Sequence, residues 1–124
     1  MFVMGIKEEL PIIYSCSGCS SAAQMANALA IKIDRLGWAE MSCIAGVGGN
    51  VPSLVNKALS GRSIWTIDGC NLTCSQSCLA RHGLCPDKRF VLSEMNVPKK
   101  LHQDFDPVLL QEVFEKIKNY LTSN

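Results

Sequence analysis

The chain has 124 residues, of which 48% are hydrophobic and 19% charged, and its twelve basic and eleven acidic side chains leave a formal net charge of +1. That composition is too apolar for a disordered chain and predicts one domain, residues 1–124, with its own core. The even charge lacks the electrostatic footprint of a nucleic-acid binder, and no apolar run approaches the roughly 18 residues of a bilayer span, so neither nucleic acid nor membrane is an expected partner.

At the amino terminus, MFVMGIKEEL has a short apolar start followed at once by Lys7, Glu8 and Glu9. It shows no leader-like apolar core and no small-residue cleavage pattern, which predicts a cytoplasmic chain. Seven cysteines are therefore expected in a reducing compartment, where thiols grouped in short motifs are more often metal ligands or redox groups than structural bridges.

Residues Leu10 to Tyr14 read as a first strand, with Pro11 at its start where a missing donor is tolerated. IIYSCSGCS then releases Cys16 and Cys19. Ser21 with Gln24 is a capping-box pattern, and Ala22, Met25, Ala26, Leu29, Ala30 and Ile33 form one apolar helical face as far as Leu36, with Gly37 as the stop. Ala39 to Ala45 reads as a second strand carrying Cys43 near its end, GVGGN as a glycine-rich turn, and Val51 to Leu59 as a short helix with Pro52 in its first turn. GVGGN lacks the spacing of a dinucleotide fingerprint and the lysine of a phosphate loop, so a turn is expected there rather than a nucleotide.

Ser63 to Ile67 is short and nearly continuously apolar, as expected of a strand buried on both faces. Asp68 and Gly69 end it. A helix is expected from Cys70 or Asn71 through Cys74, Cys78 and Leu79 to Gly83, with Asp68 as a cap for backbone amides. LCPD is a turn, Lys88 to Ser93 a fourth strand, and Asn96 to Asp104 a loop across the sheet rim containing His102. Asp106 and Pro107 open a last helix whose stripe is Leu110, Val113, Phe114, Ile117 and Leu121.

Strands alternating with helices predict an α/β three-layer sandwich of Rossmann-like or flavodoxin-like kind, with a parallel, mainly four-stranded sheet and helices on both faces. In such folds ligands sit beyond the carboxyl ends of the strands. Cys16, Cys19, Cys43, Cys70 and Cys74 all fall at that edge. Cys-x-x-Cys at 16 and 19 is a common half-site for tetrahedral zinc, and Cys70 and Cys74 lie on neighbouring turns if the helix begins at Cys70. These four are the expected metal ligands, with Cys43 in reserve. Cys78 is expected to pack as a small apolar side chain, Cys85 to lie at the opposite edge, and His82 at a helix end.

YSCSGCSSAAQMANALA, AEMSCIAGVGG and IDGCNLTCSQSCLARHG together resemble the DGC domain family, small proteins named for the run that appears here as Asp68, Gly69 and Cys70. The resemblance runs from about Tyr14 to the DFDP stretch and implies a cysteine cluster that binds zinc, without an established reaction. It also moves Cys43 closer to the expected site. The leading reading is a protein holding one Zn2+ ion, structurally or as a carrier or sensor, with an iron–sulfur cluster as the lesser alternative. The other class is a thiol redox or sulfur-transfer protein in which Cys16 and Cys19 exchange with Cys70 or Cys74. Hydrolysis or group transfer at zinc beside Cys43 or Asp68 is a third possibility.

Overall fold

A computed structural model of the chain describes residues 10–123, so the amino-terminal run from which a cytoplasmic location is expected lies largely outside the described residues. Four strands, β1 (Ile12–Ser15), β2 (Glu40–Met41), β3 (Ile64–Asp68) and β4 (Lys88–Val91), form one sheet in the order β2-β1-β3-β4. Every neighbouring pair is parallel, with Tyr14 opposite Thr66 and Ile67 opposite Phe90. The α/β architecture expected from the alternation of elements is the observed one.

The two central strands are buried along their whole length, which is why they read as continuous apolar runs instead of alternating ones. Successive side chains still point to opposite faces. On one face Ile13, Trp65, Ile67 and Phe90 pack against Met25, Leu29 and Ile33 of α1 (Ser21–Arg35) and against Val113, Phe114 and Ile117 of α5 (Pro107–Thr122). On the other, Ile12, Tyr14 and Ile64 meet Val47 of α2 (Ile44–Gly48), Ala58 of α3 (Pro52–Ala58) and Leu79 of α4 (Cys74–Ala80).

Helix α1 lies close to the sheet because Ala22, Ala26 and Ala30 face it with no exposed surface. Its N-cap is Ser20, one residue before the expected Ser21, and the Ser20 hydroxyl accepts from the Ala23 amide at 3.1 Å. The displaced Ser21 instead ties down the rim loop: its amide donates to the Lys100 carbonyl at 2.8 Å and its hydroxyl accepts from the Lys100 amide at 3.0 Å. Helix α5 begins as expected, with the Asp106 carboxylate accepting from the Val108 amide at 2.9 Å.

Besides shifts of one or two residues at the ends of β1, β3 and α1, three boundaries differ from those the sequence predicts. Residues 39–45 supply only two paired residues, because Cys43 turns the chain into α2, and the glycine-rich stretch is largely helical. Its glycines make room: a Cβ on Gly46 would fall 2.0 Å from Cδ1 of Leu54, and one on Gly48 would fall 2.9 Å from Sγ of Cys78. The fourth strand stops at Val91 and passes into a 3-10 turn, Leu92–Met95. Finally, α4 begins at Cys74, not at Cys70.

Candidate functional site at the carboxyl rim

Three segments meet beyond the carboxyl ends of β1 and β3: residues 16–20, residues 69–73 and the loop near residue 100. Asp68, the last residue of β3, is fully buried and accepts from the Ser75 amide at 2.9 Å and from the Ser75 hydroxyl at 2.7 Å. A carboxylate held by donors at a helix start is electrostatically favoured there, so Asp68 anchors the otherwise uncapped α4 to the sheet.

Gly69 is required for space. A Cβ there would lie 2.7 Å from the backbone carbon of Ala22 and the nitrogen of Ala23, so the rim turn rests directly on the first turn of α1. The Gly69 amide donates to Sγ of Cys16 at 3.1 Å. The chain then turns outward, with the Thr73 amide bonded to the Cys70 carbonyl at 3.1 Å and Thr73 in a left-handed conformation at φ 47°. This leaves the Cys70 thiol half-buried, and the Lys99 ammonium donates to its Sγ at 3.5 Å. The Asp68-Gly69-Cys70 run thus divides its work, the first residue anchoring a helix, the second permitting backbone contact and the third presenting a thiol.

The expected metal centre is not formed. Among the described residues no group of three or more histidine, cysteine or acidic side chains is gathered so as to hold a metal ion. This corrects the expectation of a Zn2+ ion on Cys16, Cys19, Cys70 and Cys74 with Cys43 in reserve, the iron–sulfur alternative, and the metal ion as a partner. The dithiol alternative fails as well, since no two of the seven cysteines stand as a near pair that could exchange.

The physical reasons are local. Cys16 is buried, its sulfur is occupied as an acceptor, and burial pushes its thiol up to about 11 against the opposing effect of the Gly69 amide; the charges of Asp68, Cys74 and Cys70 raise it further. A metal ion at Cys16 would have to displace both that proton and the Gly69 hydrogen bond. Cys19 is exposed beyond it. Because the helix starts later than the expected Cys70 or Asn71, Cys70 lies in a turn and Cys74 at the exposed first position of α4. Cys43 precedes α2 and borders an open cleft of about 520 Å³, lined also by Ser15, Ser17, Asn27, Met41 and Ile44.

Two members of this site carry no local sequence signal. Lys99 sits in a polar, aperiodic stretch 29 residues after the cysteine it contacts, and Ser75 looks like any helix serine until Asp68 is seen beneath it.

The chain is 47% identical to the Anaerobic and virulence modulator AnvM of Pseudomonas aeruginosa over 122 residues, which covers 98% of this chain and 93% of that relative. No solved structure matches it. The description "DGC domain" matches residues 12–117, from the first residue of β1 to the last buried contact of α5. The Asp68-Gly69-Cys70 turn lies at the centre of that match, and the chain belongs to the DGC domain family.

Proposed function

We propose that this protein is a cytoplasmic regulatory protein of the kind its Pseudomonas relative is named for, an anaerobic and virulence modulator, and that it acts through the carboxyl rim around Cys70. The observation that carries this reading is the likeness to that relative over 98% of the chain, which takes in the whole sheet and all three rim segments. The geometry is in keeping with it: Asp68 and Gly69 are spent on holding the turn, and what the turn offers to solvent is a thiol beside an ammonium group. Seven unpaired cysteines suit a reducing cytoplasm.

The test is removal of the gene from its host, with transcripts compared under full and limiting oxygen. An oxygen-dependent set should change on deletion and be restored by the wild-type chain but not by Cys70→Ala. Unchanged transcripts in both conditions would sink the regulatory reading, and full rescue by Cys70→Ala would remove the thiol from it.

A further inference from the structure

The open cleft of about 520 Å³ runs between α1 and the ends of β1 and of the edge strand β2, on the side of the sheet where open α/β folds take their ligands. Its size lies within the range of about 300–1,000 Å³ usual for small-molecule sites. One of its lining residues is out of keeping with its surroundings. Ser15 is only 3% exposed, yet it closes β1 against a helix whose sheet-facing side chains are otherwise apolar, among them Met25, Leu29 and Ile33. A hydroxyl buried in such a layer costs free energy unless it is bonded, and this one donates to Oδ1 of Asn27 at 3.3 Å. That bond occupies the acceptor of the Asn27 amide and leaves its two N–H donors without a partner among the described residues. The exposed Ser17 hydroxyl, also on the cleft, has none either.

The charged groups of the cleft are already spent on each other. Asp34 accepts from the Met41 amide at 2.8 Å through Oδ1 and pairs with Arg35 through Oδ2. An anion entering the cleft meets the Asp34 carboxylate, and a cation meets the Arg35 guanidinium. What remains open is a set of neutral donors beside the half-buried apolar side chains of Met41 and Ile44.

We infer that this cleft binds a small, uncharged organic molecule that bears an amide or other carbonyl oxygen, with that oxygen accepting from Asn27 and Ser17 and its apolar part against Met41 and Ile44. The inference goes beyond the regulatory reading and does not rest on it. Few convergent polar groups set in apolar surface are what fix the orientation of such a ligand.

Cys43, exposed at the edge of the cleft, lets the chemistry be read directly. Purified full-length protein is equilibrated, in excess β-mercaptoethanol, with one of four small disulfides: N,N′-diacetylcystamine, which carries an uncharged amide, cystamine, 3,3′-dithiodipropionate, or diethyl disulfide. Each exchanges with a thiol, leaving half of itself as a mixed disulfide and releasing the other half as a thiol. Peptide mapping gives the occupancy of Cys43 relative to Cys85, which is exposed and does not line the cleft, so the ratio cancels the reagents' own reactivity. The ratio for N,N′-diacetylcystamine should exceed that for diethyl disulfide by roughly fivefold, the effect of about one neutral hydrogen bond, and neither charged reagent should exceed diethyl disulfide. Asn27→Ala should abolish the preference, and Ser17→Ala, an exposed change that leaves the melting temperature unaltered, should reduce it; if Asn27→Ala does not fold, Ser17→Ala decides. The inference is overturned if the four reagents give equal ratios, if a charged reagent is preferred, or if the preference for the amide survives the substitutions.

Discussion

Cys16 shows how one side chain can change role between a motif and a fold. In the Cys-x-x-Cys pattern it looks like half of a metal site, yet in place it is a neutral acceptor for the Gly69 amide, with burial as the main cause of its raised pKa of about 11. The unfolded chain releases this proton near 9, so the thiol's contribution to stability is complete below that pH and is lost as the pH rises to 11. Stability should therefore fall by roughly 2–3 kcal/mol across this interval through Cys16 alone. Urea unfolding at closely spaced pH values reads that slope, and Cys16→Ser, which keeps an acceptor but does not ionise there, should flatten it. Equal slopes in the two proteins would mean that the buried thiol ionises without penalty.

At the scale of elements, the rim depends on two contacts that fasten helices to the sheet. Asp68→Ala leaves the amide and hydroxyl of Ser75 without their buried acceptor and should cost roughly 3 kcal/mol, with faster hydrogen exchange at the Ser75 amide as the local sign. Unaltered exchange there would show that α4 is held by something else. Gly69→Ala forces its methyl group into the backbone of α1 and should cost about 2–3 kcal/mol in chemical denaturation, because backbone atoms on both sides have little room to yield. Ser20→Ala should cost only about 1 kcal/mol, since it removes a helix cap without overfilling anything.

Across the whole molecule, Glu40 links parts far apart in sequence at the opposite edge of the sheet. Its carboxylate meets Lys57 at 3.0 Å and Arg62 at 2.9 Å, and Arg62 also donates to the Leu10 carbonyl, so β2, α3 and the entry to β1 are tied together. Hydrogen bonds from Lys57 and then Arg62 hold the Glu40 carboxyl below its ordinary 4.5. Its stabilisation is thus present above that pH and lost as acid carries the pH down through the depressed value. Glu40→Gln should reduce the steepness of acid unfolding while changing neutral-pH stability by no more than about 1 kcal/mol, since the pair is partly exposed and screened. An unaltered acid profile would show that the link contributes nothing.

The sequence by itself determined the layered α/β plan, the parallel sheet and the edge at which the cysteines emerge. These follow from local periodicity: continuous apolar runs such as IWTI and IIY, helical stripes such as that of α5, and connections long enough for crossovers. The DGC resemblance was also legible, since it lies in contiguous residues. Only the tertiary structure decided what the cysteines do. Sequence spacing treats Cys70 to Cys74 as one helical turn, whereas the bond from Ser75 to Asp68 and the left-handed Thr73 delay the helix, so that Cys70 lies in a turn and Cys74 opens α4. The partners that define the site are long-range: Gly69 against Ala22, Gly69 to Cys16 and Lys99 to Cys70. A buried thiol and a ligand thiolate have the same letter in the sequence, and they differ by the desolvation and hydrogen bonding that packing imposes.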